Sequence, residues 1–159
     1  MKTLIIYKTK YGSTKQYAQW LHEDVEDADI LDMKDFQHAD LDTYDWIIIG
    51  SCVYMARISA GKFLKSHWKQ LQQKNIYLFV VGNVPADSEE SQQSFNLLPK
   101  DVRDGLQGYV KLPGKVDVDN MNVLMRTLLK LFGAAKSEDK MDRNALKPII
   151  HVLEQQKPV

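Results

Sequence analysis

The sequence predicts an open, doubly wound parallel α/β sheet. Two observations carry this reading. Strand-like and helix-like segments alternate about five times along the 159 residues, the pattern of βαβ units on a parallel sheet. Two runs, Trp46 to Gly50 and Ile76 to Val81, are continuously apolar, as expected for central strands covered on both faces.

Each element has its own signal. Thr3 to Tyr7 is rich in β-branched and aromatic residues and ends at a polar cluster, which reads as a buried strand. From Ser13 to Asp27 the spacing turns helical, with Tyr17, Leu21 and Val25 on one stripe and Ala18 beside them. Ala28 to Leu31 is a short second strand, and Trp46 to Gly50 the third. Ala60 to Gln72 sets Leu64, Trp68 and Leu71 on one helical face. Gly82 closes the fourth strand, Ile76 to Val81. Ser88 to Leu98 reads as a helix, with Glu89 and Glu90 in the first turn, where they favour the macrodipole. Tyr109 to Leu112 is a weaker strand stopped by Pro113-Gly114. Asn120 to Phe132 is a strongly apolar helix ended by Gly133. Asn144 to Gln156 forms the last helix, with Pro148 placed near its first turn.

Composition bounds the function. A chain of this length, 44% hydrophobic and 26% charged, buries a full core and forms a single domain over residues 1–159. Lys plus Arg and Asp plus Glu both number 21, which argues against a nucleic-acid binder. The lone cysteine, Cys52, excludes a disulfide framework and thiolate-rich metal sites. His22, His38, His67 and His151 are isolated, so no zinc site is expected. The apolar run at Leu4 to Tyr7 is too short for a secretion signal or a membrane span. A cytoplasmic location is therefore expected.

Ligands of doubly wound sheets bind beyond the carboxyl ends of the strands. The loop after the first strand reads Thr9-Lys10-Tyr11-Gly12-Ser13-Thr14-Lys15. A hydroxyl-rich turn with one glycine, leading into a helix N-terminus, suits a phosphate. Gly12 lets the backbone approach an anion or take positive φ. Thr9, Ser13 and Thr14 supply hydroxyl donors. The loop is neither a Walker A sequence nor G-x-G-x-x-G, and its one glycine suits a monophosphate. The alternative is an ordinary helix cap in which Ser13 or Thr14 satisfies the first amides.

Thr9-x-x-Gly12-x-Thr14 directly after the first strand resembles the FMN-phosphate loop of the flavodoxin superfamily, and the likeness extends over nearly the whole chain. In texture the chain is most similar to the group that includes the menaquinone-dependent protoporphyrinogen dehydrogenases. Tyr44-Asp45-x-Ile47-Ile48-Ile49-Gly50-Ser51, the helix Lys62 to Leu71 and the apolar helix Asn120 to Gly133 carry that likeness. The resemblance implies a flavodoxin-like three-layer α/β sandwich with a five-stranded parallel sheet in the order 2-1-3-4-5. It also implies FMN as cofactor, held by Thr9, Lys10, Tyr11, Gly12, Ser13 and Thr14.

The same resemblance assigns the loop after the third strand, Ser51, Cys52, Val53, Tyr54 and Met55, to the flavin ring. Tyr54 is the stacking candidate and Met55 the reserve, since aromatic and sulfur side chains suit a flat polarizable ring. Arg57 is expected near the ring's pyrimidine edge. After the fourth strand, Gly82, Asn83 and Val84 are expected to face the ring's edge. No aromatic residue occurs between Phe79 and Phe95, so one ring face is expected to be open.

These readings imply an electron carrier between redox partners. An FMN-dependent oxidoreductase with a quinone acceptor, and a flavin-free interaction domain, are the other classes. Glu23 to Asp45 carries ten acidic residues and one lysine. It is a solvated face or a dock for a basic partner. The apolar arc of Asn120 to Phe132 is expected to pack on the sheet. Its alternative is a peripheral lipid or quinone contact without stable membrane insertion.

Overall fold

A computed structural model of the chain describes residues 1–131, 133 and 136–156. In chain order the elements are β1 (Thr3–Tyr7), α1 (Ser13–Asp24), β2 (Ala28–Asp32), β3 (Trp46–Tyr54), β4 (Arg57–Ile58), α2 (Gly61–Leu71), β5 (Asn75–Gly82), α3 (Glu89–Asn96), α4 (Lys100–Gly105), β6 (Gly108–Pro113), β7 (Lys115–Val116), α5 (Val123–Leu131), β8 (Glu138–Asp139) and α6 (Lys147–Gln155). Short 3₁₀ turns occupy Met33–His38, Leu41–Thr43 and Arg143–Leu146.

The strands β2-β1-β3-β5-β6 pair in parallel. With the small β4 arm set aside, this is the expected order 2-1-3-4-5. Alternate residues of each strand point to opposite faces, and two cores result. Leu4, Ile6, Ile47, Ile49, Leu78 and Val80 pack under α2 through Leu64, Trp68 and Leu71. Ile5, Ile48, Tyr77, Phe79 and Val81 pack under α1 and α6 through Tyr17, Leu21, Ile149 and Leu153. The result is the three-layer sandwich. Gly50 shows how tightly it closes: a Cβ there would sit 2.3 Å from Phe79 Cζ.

Tyr17 ties the layers together at the carboxyl end of the sheet. Its hydroxyl donates to Pro113 O at 2.7 Å and accepts from Asp142 N at 3.0 Å. This pins α1 to the end of β6 and to the entry of the last helix. Pro148 sits in the first turn of α6, where its missing N–H costs nothing.

Three expectations need correction. The third strand does not end at Gly50. It runs on to Tyr54 and folds back as β4, with Val53 opposite Ile58 and Tyr54 opposite Arg57. The two turn residues, Met55 and Ala56, have φ of 49° and 59°, the backbone of a two-residue hairpin turn. The second correction lies beyond Pro99, where a short helix, α4, forms outside the predicted helix Ser88 to Leu98.

The third correction concerns the apolar helix. It was expected to pack on the sheet, yet α5 buries no side chain. Val123 and Leu124 are 79% and 80% exposed, and Leu131 is 78% exposed. The two sheet faces are packed by α2 on one side and by α1 and α6 on the other. Arg126 ties the helix to the preceding segment, donating from Nε to Val118 O at 3.0 Å and from Nη2 to Asp119 O at 2.6 Å. The predicted end at Phe132 lies outside the described residues. Among the described residues no helix is long and apolar enough to cross a membrane.

Candidate functional site

A cleft of about 220 Å³ opens beyond the carboxyl ends of β1, β3, β5 and β6. It sits where the sheet order reverses, with β1 flanked by β2 on one side and β3 on the other.

The first wall is the turn from β1 into α1, with Thr9, Lys10, Tyr11, Ser13 and Thr14 on the cleft. Gly12 is the N-cap residue, at φ 94° and ψ −20°. That region disfavours a Cβ, so the turn requires glycine. Gly12 N donates to Thr9 Oγ1 at 3.0 Å, which closes the turn. No side chain caps α1 and no acid stands in its first turn. The helix-cap alternative therefore does not describe this turn. The first amides of α1 have no side-chain cap, and the positive end of its dipole meets no acid in the first turn. Thr14 differs from its expected role. It is fully buried, and its hydroxyl donates to Ser51 O at 3.3 Å. Its hydroxyl is thus engaged within the fold rather than free to donate into the cleft. Gly12 itself lines a neighbouring hollow with Gln16 and Trp20.

The second wall is the end of β3, through Cys52, Val53 and Tyr54. Lys10 Nζ lies 3.4 Å over the centroid of the Tyr54 ring and 5.7 Å from that of Tyr11. Hydrogen bonding to Tyr54 holds the Lys10 ammonium above the ordinary lysine value. A lysine thus stands between two tyrosines at the mouth of the cleft, a cation–π arrangement.

Ser51 and Met55 do not line the cleft. Ser51 is fully buried, and its Oγ accepts from Ala60 N at 2.9 Å and meets Ser59 Oγ at 3.0 Å. Its task is to hold the β3–β4 hairpin. Met55 sits at the hairpin tip, 75% exposed. Arg57 is the third displaced residue. It lines a separate groove on the far side of Tyr54.

The third wall is the end of β5, with Val81, Gly82, Asn83 and Val84. Sequence reasoning missed the fourth wall, Lys111, Gly114 and Lys115 at the end of β6. Lys111 Nζ bonds to Ser91 Oγ. Burial pushes its ammonium below the ordinary lysine value, partly opposed by the Glu90 carboxylate. Gly114 lies so close to Asn83 that a Cβ would stand 2.8 Å from Asn83 Oδ1. The available signal was strand parity, which places Lys111 opposite in sense to its neighbours Val110 and Leu112.

The cleft is therefore cationic and contains no carboxylate. Its donor set suits an anion at the α1 end and a flat, partly apolar body between Tyr54 and the β5 end. Among the described residues no cluster of His, Cys, Asp or Glu is placed to hold a metal ion.

The model of the Flavodoxin domain matches residues 4–144. Three solved structures show the same fold. A flavoprotein from Lactobacillus acidophilus NCFM, in complex with FMN, is 19% identical with a TM-score of 0.51, over 69% of this chain and 92% of that one. The Trp repressor binding protein from Bacillus subtilis is 15% identical with a TM-score of 0.54, over 84% and 98%. A flavodoxin mutant from Pseudomonas aeruginosa is 12% identical with a TM-score of 0.51, over 97% and 99%. No curated protein matches the sequence. The sheet order, the glycine-opened turn and the match across most of its length together make this chain a member of the flavodoxin-domain family.

Proposed function

We propose that the chain binds one FMN in the cleft and passes electrons between redox partners. The observation that carries this is the N-terminus of α1, uncapped, free of acids and opened by Gly12 in the left-handed region. A phosphate monoester fits there, held by backbone N–H groups and the Thr9 hydroxyl. Tyr54 and the Gly82–Val84 segment then border the ring. Lys10, Lys111 and Lys115 supply positive charge, which stabilises negative charge developing on a reduced ligand. FMN supplies the reversible uptake of one or two electrons, and the protein supplies binding, orientation and electrostatics. The single, half-buried Cys52 is consistent with a reducing, cytoplasmic setting. The test is the visible spectrum of freshly purified protein, with mass spectrometry of the small molecule released by heat. A flavin spectrum and the mass of FMN support the reading. A colourless protein that does not quench added FMN fluorescence overturns it.

One observation favours a second reading, an FMN-dependent oxidoreductase with a quinone acceptor. The segment leading to α5 lies against the cleft mouth, where Lys115, Asp117 and Asn120 share a hollow with Lys10 and Tyr11. The exposed leucines of α5 follow directly. That apolar face, with Lys130 and Lys136 nearby, suits peripheral contact with a lipid surface holding the acceptor. Co-sedimentation with anionic vesicles, together with turnover of a soluble menaquinone analogue, supports it. Absence of both removes it.

A further inference from the structure

A second concavity adjoins the flavin cleft. It is a groove of about 750 Å³ between the β3–β4 hairpin, the start of α2 and the end of α3, and it shares Tyr54 with the cleft. Its floor is apolar, formed by Ile58, Leu98 and Pro99. Lys8, Arg57, Lys62 and Lys65 ring it, and no carboxylate lines it. Lys62 and Lys65 lie three residues apart, on one face of α2.

Among the described residues these cations have no acid partner. Arg57, Lys62 and Lys65 form no ion pair with any described residue, and Lys8 Nζ donates only to Ser59 O, at 3.2 Å. Lys2, Lys34, Lys100, Lys140 and Arg143 are paired with acids, while other described cations such as Lys69 and Lys74 also form no ion pair, so what sets the groove apart is four cations gathered around one apolar floor with no carboxylate in its lining. The placement also works against the fold. α2 has no acid in its first turn, where Lys62 stands. A lysine at that end opposes the helix dipole. Clustered like charges at a helix N-terminus are relieved when an anion arrives.

The form of the groove points to a protein surface. The cationic heads are exposed, and the flanking Met55 and Leu97 project outward at 75% and 61% exposure. Apolar knobs beside a charged rim are the make-up of a transient interface. A small-anion subsite would instead enclose its ligand with buried donors. The chain has formal net charge zero, but its charge is sorted. Lys2, at the amino end of β1, pairs with Asp29, and Lys2 N donates to Asp45 Oδ2 at 2.8 Å. Most of the acidic stretch thus lies at the opposite end of the sheet from the groove. A partner docked there would be a strand length of roughly 17 Å from the cleft.

We propose that this groove docks an acidic redox protein. The partner's carboxylates meet Arg57, Lys62 and Lys65, and its apolar residues meet Met55 and Leu97. The inference rests on the electron-carrier reading for its purpose. It differs from the alternative of a basic partner docked on the acidic stretch, and leaves that stretch as a solvated face. Docking places the partner against Tyr54, the wall common to groove and cleft.

The test uses the whole chain and two probes, an acidic [2Fe–2S] ferredoxin and a basic cytochrome c. Binding of each is titrated at rising salt, with and without FMN. Ferredoxin is expected to bind, and its affinity to fall by about tenfold or more from roughly 20 to 200 mM salt. Cytochrome c is expected not to bind. The variant R57E/K62E/K65E is expected to lose ferredoxin binding while keeping the wild-type FMN affinity and melting temperature. Conservative R57K/K62R/K65R is expected to retain it. Salt-insensitive ferredoxin binding, equal binding to the charge-reversed variant, or preference for cytochrome c overturns the proposal. So does saturable binding of pyrophosphate in the groove without ferredoxin binding, which would assign a small-anion subsite. Failure to take up FMN while ferredoxin still docks separates an error in the function from an error in the docking face.

Discussion

Charged residues at the amino end of β1 and those around the cleft and groove are used differently. At the amino end, acids and bases neutralise each other within the chain. Lys2 pairs with Asp29, and Arg143 pairs with Glu23 and Asp24. At the carboxyl end, Lys10 rests on a tyrosine, Lys111 on a serine, and Arg57, Lys62 and Lys65 on solvent. Lys2 and Arg143 are matched by acids of the chain, whereas the cations lining the cleft and the groove pair with no described carboxylate. The difference motivates the proposed sites: an uncapped helix start and gathered cations are features that a bound anion would complement.

That contrast can be broken most strongly at the start of α1. Ser13→Asp places a carboxylate where the phosphate belongs. It is expected to lower FMN affinity by about a hundredfold or more, yet to stabilise the free protein by about 0.3–1 kcal/mol through the dipole. Fluorescence quenching and thermal melting read the two effects, and equal signs would contradict the contrast. Next comes Tyr17→Phe, which leaves Pro113 O and Asp142 N without their shared partner. A loss of about 1–2 kcal/mol in denaturant unfolding is expected. Ala56→Gly relieves positive φ at the hairpin tip and is expected to gain about 0.5–1 kcal/mol by the same measurement.

The smallest effect belongs to the matched charges near the amino end of β1. The Tyr44 hydroxyl and the Lys2 ammonium hold the Asp29 carboxyl below the ordinary carboxylate value. A depressed folded-state pKa adds stability that is present above the unfolded value and is lost as pH falls through the folded one. Asp29→Asn should therefore flatten the acid limb of the stability curve, by less than about 1 kcal/mol because both partners are solvated. An unchanged limb would mean that the pair contributes nothing.

The glycine-opened turn before α1 and the strand order were legible in the sequence because each has a local cause. A strand, one glycine and a hydroxyl-rich helix start can be read at Thr9 to Thr14, and continuous apolar runs mark β3 and β5. The hairpin at Met55-Ala56 was not legible, since neither residue carries the Asn or Gly signal of its turn. An apolar arc reads the same whether it meets a sheet or a partner, and only the completed packing shows α5 left outside. Lys111 was hidden in a strand whose facing depends on register. Arg57, Lys62 and Lys65 form no motif; the fold alone brings hairpin and helix together.

The central claim is that the Gly12 turn and the first amides of α1 hold a phosphate. The most direct measurement compares FMN with riboflavin, which lacks only the phosphate, by fluorescence quenching on the same apoprotein. The account predicts FMN binding tighter by about a hundredfold or more, roughly 2.7 kcal/mol. Equal affinities, or no binding of either flavin, would contradict it.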